Sequence, residues 1–264
     1  MSDTSLMVNA NLESAGGAPA AVAPFADRYI RSLPVEAGYD EWAATYDLVP
    51  NPLLALEARL LLPRLARCRQ KDVLDLCCGT GRWLEKLVEI GARSVTGIDL
   101  SGSMLRVASS KPALTGRLVR ANCERLPIRS RFAHVIVCSF ALSHLVDIAA
   151  FAEGLARVAR PNAEIFITDL HPDAFACGWR TRFRGNQGTV EIASAPRSLE
   201  QLTRTLRAHG LHLTALEEPA LGEPERPIFS ECGKDGLFET ACAIHAIFIA
   251  VYRASYRFVP EKAT

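Results

Sequence analysis

Residues 73–100 constrain this chain more than any other stretch. Val73-Leu-Asp-Leu-Cys-Cys-Gly-Thr-Gly-Arg82 reads as an apolar run, a glycine turn and a helix start. Val95-Thr-Gly-Ile-Asp-Leu100 reads as a second apolar run that ends in an acid. Short apolar runs bounded by turn residues predict buried strands, and strands alternating with helices predict a parallel sheet covered on both faces. The glycines let the backbone come close to a ligand, and an acid at the end of the second strand suits a ribose diol. A nucleoside cofactor is therefore expected.

The same rhythm continues downstream. Apolar runs at 117–121, 134–138 and 164–169 predict further strands, with helices over 82–90, 103–109 and 148–158. Upstream, Tyr39, Trp42, Ala43 and Tyr46 recur at helical spacing, and residues 53–65 form an apolar helix behind the Asn51-Pro52 start. Past Asp169 the alternation breaks. Residues 171–196 read as a hairpin inserted over the strand ends, turning at Gly-Asn-Gln-Gly, 185–188. A helix from Ser198 to about 209, a strand at 211–217, a long Pro-rich connection and a strand at 244–253 follow.

The expected fold is α/β: a Rossmann-like, doubly wound sheet of seven strands, mostly parallel with an antiparallel last strand. An N-terminal helical segment and the hairpin insert form a cap. One domain over 31–264 is expected, with its cofactor half at about 70–170 and acceptor-pocket elements at 35–67, 171–197 and 218–243. Residues 1–30 read as a disordered tail, since Gly16, Gly17, Pro19 and Pro24 break any signal-peptide core.

A net charge of +1 leaves no electrostatic footprint for nucleic acid or an anionic membrane surface. No run is long and apolar enough to predict a membrane span. The eight cysteines contain no Cys-x-x-Cys pair and several lie in apolar runs, so they read as small buried hydrophobes in a reducing cytoplasm.

The glycine turn also separates one cofactor from another. A dinucleotide fingerprint places a third glycine where this chain has Leu84. Asp75 beside a pyrophosphate would be electrostatically unfavourable, whereas it suits the cationic amino-acid end of S-adenosylmethionine.

With those residues in view, the segments 73–82, 96–104, 121–127, 132–145 and 157–169 resemble the successive motifs of class I S-adenosylmethionine-dependent methyltransferases. The small-molecule branch of ubiquinone and menaquinone biosynthesis is the most similar, and Tyr39-Asp40 with Tyr46-Asp47 resembles the segment that precedes its cofactor domain. The resemblance implies that Asp75, Cys77, Gly79 and Gly81 line the methionine end. It implies that Asp99 takes the ribose with Leu100 and Met104 nearby, and that Asn122, Cys123 and Glu124 sit at the adenine edge. Tyr39, Tyr46 and Ser139 complete the expected cofactor contacts, although the two tyrosines equally suit a plain aromatic packing face. Cys77 stands where the family has its first glycine, and Asn122 where it has an acid.

His171 and His144 each follow a strand end, which makes them candidate general bases by placement and by pKa. Each could instead simply hydrogen-bond a loop. Arg180, Arg182 and Arg184 alternate; they could grip an acidic or phosphorylated acceptor or form the solvated face of a hairpin. No metal site is expected. The expected activity is methyl transfer from S-adenosylmethionine, with S-adenosylhomocysteine as product, to a small acceptor such as a hydroxylated aromatic or quinone-like metabolite. The alternatives are a non-catalytic cofactor-binding or partner-binding protein on the same fold, and a nicotinamide-dependent oxidoreductase. A monomer and a homodimer are both open.

Overall fold

The computed structural model describes residues 30–255. The tail expected at 1–30 lies outside them, except for Ile30, which opens a strand. The chain enters through β1 (Ile30–Leu33), α1 (Val35–Trp42) and α2 (Pro52–Leu65). Then come β2 (Asp72–Leu76), α3 (Arg82–Ile90), β3 (Ser94–Asp99), α4 (Gly102–Ser109) and β4 (Leu118–Arg120). β5 (Ala133–Ser139), α5 (Ile148–Val158), β6 (Ala159–Leu170) and a short α6 (Pro172–Ala176) follow. A hairpin of β7 (Arg182–Gly185) and β8 (Gly188–Ile192) leads to α7 (Leu199–Ala208) and β9 (Leu211–Glu217). α8 (Arg226–Glu231), α9 (Asp235–Cys242) and β10 (Ile247–Ala254) close the described chain.

The main sheet has seven strands in the order β4-β3-β2-β5-β6-β10-β9. β10 runs antiparallel to both of its neighbours, as expected of the last strand, and the other pairs are parallel. Side chains alternate between the two faces along each strand. Val73 therefore packs in the layer of α2, α3, α8 and α9, while Leu74 and Leu76 pack in the layer of α5 and α7. Asp75 shares the Val73 face, which aims a carboxylate at α2 and α3.

Leu84, in place of a third glycine, is accommodated from the opposite side. A Cβ built on Gly97 of β3 would lie 2.4 Å from Leu84 Cδ1 and 2.8 Å from Cys78 Sγ. The missing side chain in the strand thus makes the room that a glycine in the helix would otherwise supply.

The cap is a second sheet, in the order β1-β8-β7, with β1 parallel to β8 and β7 antiparallel to it. α1 lies against this sheet so closely that a Cβ on Gly38 would be 2.8 Å from Ile192 Cγ1. Trp42 stacks on Phe183 with ring centroids 4.9 Å apart and planes 5° from parallel. α1 is also tied to the start of α4, because Asp40 accepts from Ser101 Oγ at 2.6 Å and Ser103 N at 3.0 Å.

Three elements differ from the sequence expectations. β1 was not expected, β6 starts at Ala159, and the Pro-rich connection holds α8 and α9. Pro227 falls in the first turn of α8, where the missing N–H and the fixed φ are tolerated.

Candidate active site

The turn after β2 has left-handed backbone at Cys77 (φ 56°), Gly79 (φ 55°) and Gly81 (φ 82°). A side chain in that region costs about 1–2 kcal/mol, so Cys77 occupies a conformation better suited to glycine. A Cβ on Gly79 would meet nothing within 4 Å, whereas one on Gly81 would lie 2.4 Å from Leu114 Cδ1. Gly79 thus opens a cradle, and Gly81 lets α3 begin against its neighbours. Gly79 N donates to Asp99 Oδ2 at 2.7 Å, and Ser101 N donates to Asp99 Oδ1 at 2.8 Å. Burial pushes the Asp99 pKa up, against the pull of these bonds.

Below the cradle lies a buried polar cluster. Glu57 of α2 is fully buried; it pairs with Arg82 and accepts from Thr168 Oγ1 and from Ser139 Oγ at 2.7 Å. Arg82 also donates to Ser139 Oγ at 3.1 Å. Two polar atoms here have no hydrogen-bond partner among the described residues: Asp75 Oδ2 and Arg82 Nη1. Asp75 is 1% exposed, and burial raises its pKa well above the carboxylate range while the nearby Arg82 charge opposes that.

At the far edge, Cys77 Sγ donates to Cys123 Sγ at 3.2 Å. The Asn122 amide oxygen accepts from Glu124 N at 2.8 Å. The Glu124 carboxylate accepts from Val146 N at 2.6 Å and Asp147 N at 3.0 Å, which ties together the loops that follow β4 and β5. Leu100 is partly exposed, while Met104 is buried beneath the cap.

Between the cap and the ends of β5 and β6 lies a narrow cleft with a cavity volume of about 50 Å³. Tyr39, Trp42, Tyr46, Phe140, Asp169 and Trp179 contribute to its walls. Phe140 sits at φ 49°, a strained value of the kind that accumulates at functional sites. His144 Nδ1 donates to the Ala193 carbonyl at 2.8 Å, which leaves Nε2 to accept from the Tyr39 hydroxyl at 3.0 Å. Burial lowers the His144 pKa, and Asp169 pulls it back up. Burial raises the Tyr39 pKa and takes that of Tyr46 to about 12, so both phenols keep their protons.

His171 is placed elsewhere. It is buried and does not line the cleft. Its Nδ1 accepts from Asp173 N at 3.0 Å, so its Nε2 donates to Glu218 Oε1 at 2.9 Å. With both ring nitrogens engaged away from the cleft, His171 works as the N-cap of α6.

Residues 73–162 match the family model described as a methyltransferase domain. Demethylmenaquinone methyltransferase of Chlorobaculum tepidum is 30% identical over 141 residues, covering 50% of this chain and 57% of that one. Ubiquinone biosynthesis O-methyltransferase of Nitrosospira multiformis is 32% identical over 114 residues, covering 42% and 47%. The central domain belongs to the class I S-adenosylmethionine-dependent methyltransferases. Its fold is shared by DhpI solved with SAH, with TM-score 0.59, 21% identity and coverage of 84% of this chain and 95% of that one. It is also shared by an S-adenosylmethionine-dependent methyltransferase of Mesorhizobium loti, with TM-score 0.55, 18% identity and coverage of 82% and 99%. The chain spans about half the length of the curated relatives it matches.

The methyltransferase domain fits its cofactor. S-adenosylmethionine ends in an ammonium and a carboxylate, and the two orphaned buried atoms, Asp75 Oδ2 and Arg82 Nη1, are the complementary acceptor and donor. Gly79 leaves open space beside Asp99. Glu57 and Arg82 were missed in the sequence. The available signal was a carboxylate on the apolar face of helix 53–65, since buried charges persist only when paired.

Proposed function

We propose that this methyltransferase moves a methyl group from S-adenosylmethionine to a hydroxyl or acidic carbon of a small planar acceptor held in the aromatic cleft. When bound, S-adenosylmethionine supplies a methyl group activated on a positively charged sulfur. Asp75, Arg82, Gly79 and Asp99 would hold its polar ends, and α1 with the hairpin would exclude water. A hydroxylated aromatic or quinone-like acceptor agrees with the names of the relatives and with the ring-lined cleft. The +1 charge disfavours nucleic acid. Among the described residues, no helix is long and apolar enough to cross a membrane. All eight cysteines are free, which suits a reducing cytoplasm.

The Tyr39–His144 hydrogen bond carries this reading. The Ala193 carbonyl fixes the imidazole so that its basic nitrogen receives the phenol proton. A proton leaving the acceptor would pass to Tyr39 Oη as the phenol proton passes to His144 Nε2. Asp169 would steady the resulting imidazolium, since its charge already favours the protonated ring. His144 is therefore the base in this reading, and His171 is not.

Calorimetry with S-adenosylhomocysteine, followed by turnover on a panel of hydroxylated aromatics, tests it. Tight binding is expected, and His144→Ala should lower kcat by roughly 10²–10⁴-fold with unchanged cofactor affinity. Absence of cofactor binding would sink the methyltransferase reading, and unchanged kcat would remove His144 from the chemistry.

A further inference from the structure

The acceptor cleft contains a buried donor with nothing to donate to. Trp179 is 1% exposed and lines the cleft, and its indole N–H has no hydrogen-bond partner among the described residues. Leaving such a group unpaired costs about 1–3 kcal/mol, a cost that a ligand oxygen would remove.

Arg180, the next residue, lines the same cleft. Its Nη1 donates to the carbonyls of Phe175 at 2.9 Å and Trp179 at 2.7 Å, and the guanidinium lies 5.3 Å from the Phe175 ring centre. These contacts hold the planar group in place through one nitrogen. Its Nε and Nη2 have no hydrogen-bond partner, and the group no carboxylate partner, among the described residues. The other arginine and the aspartate on the cleft wall are already hydrogen-bonded within the protein. Arg182 pairs with Glu191 at 2.6 Å, and the Asp169 oxygens accept from Ser143 N at 2.6 Å and Leu170 N at 2.7 Å.

An indole N–H and a guanidinium lining one cleft form a donor set for an oxyanion, and a guanidinium matches a carboxylate in shape and charge. A single guanidinium without a carboxylate partner among the described residues, on a wall that also holds Asp169, suits a monoanion better than a doubly charged phosphate ester.

We propose that the acceptor is a small aromatic acid whose carboxylate is held by Trp179 and Arg180 while its hydroxyl meets Tyr39 and His144. This rests on the methyltransferase reading and deepens it by adding the acid group. Trp179 and Arg180 are specificity residues here, and they take no part in proton movement.

The probes are 3,4-dihydroxybenzoate and its neutral amide, titrated calorimetrically into protein saturated with S-adenosylhomocysteine. The acid should bind at least tenfold more tightly than the amide. Arg180→Gln should abolish that preference, and Arg180→Lys should keep it at several-fold lower affinity. Trp179→Phe, which keeps a ring and removes the donor, should weaken the acid about fivefold. All three variants should bind S-adenosylhomocysteine like the wild type, which also confirms that they fold. Equal affinity for acid and amide, no binding of either, or an Arg180→Gln protein that still prefers the acid would overturn the proposal. If the wild type failed to bind S-adenosylhomocysteine, the methyltransferase reading would fall, and this proposal with it.

Discussion

Gly79 and Gly81 share a left-handed backbone but not a surrounding. Gly79 faces empty space, so Gly79→Ala should cost only about 1 kcal/mol of stability, from the strained φ alone. Its methyl group enters the cradle, so S-adenosylhomocysteine affinity should fall at least tenfold. Gly81→Ala drives a methyl group into Leu114 and should cost roughly 2–4 kcal/mol. Urea unfolding and calorimetry on both variants check this; a Gly79→Ala protein that bound cofactor normally would mean the cradle lies elsewhere. Cys77 shows what a sequence leaves hidden at this scale. It was legible as a departure from the family pattern, but its backbone angle was not, because φ depends on how the turn closes over Asp99. Cys77→Gly should leave a protein no less stable than the wild type, since the relieved strain offsets the added freedom of the unfolded chain.

At the level of elements, α2 is pinned to the sheet by Glu57, its one fully buried charge. Glu57→Gln keeps the shape but leaves Arg82 without a counter-charge, and should cost about 3 kcal/mol in urea unfolding. The starts of β2 and β3 carry a different electrostatic tie. Arg93, with Ser94, hydrogen-bonds Asp72 and holds its pKa at about 2. A folded pKa below the unfolded value of 3.8 means that Asp72 contributes stability above about pH 4. That contribution is lost as pH falls toward 2, so Asp72→Asn should flatten this part of the acid limb in a pH series of unfolding midpoints. The helices at 82–90 and 148–158 were legible to the residue, because both have amphipathic spacing, Gly81 and Gly91 bound the first and Asp147 caps the second. α8 was not legible: its proline resembled a breaker, and only packing of Phe229 on Phe238, with centroids 5.3 Å apart, shows the helix it starts.

For the molecule as a whole, a cofactor that binds only the folded chain must raise its melting temperature. Saturation at 100 times Kd is worth about 2.7 kcal/mol, which for a chain of this size means a rise of roughly 5–10 °C with S-adenosylhomocysteine. Reduced nicotinamide dinucleotide should produce no shift; the reverse pattern in differential scanning would favour an oxidoreductase. The cofactor half was legible because each strand is locally apolar and each turn carries its own glycine or acid. The acceptor half was only partly so. His144 and His171 look alike in sequence, each a few residues past a strand, and the direction in which the chain leaves that strand separates a ring hydrogen-bonded to Tyr39 of the cleft wall from the N-cap of α6.

The parallel pairing of β1 with β8 has a consequence for how the protein is made. The cofactor sheet can begin to assemble in the order in which its strands leave the ribosome. β1 and α1 emerge first, yet β1 pairs with a strand synthesised long afterwards. The acceptor chamber is therefore a late product of synthesis. Until β8 arrives, a nascent chain can own a place for the methyl donor and none for the molecule to be methylated.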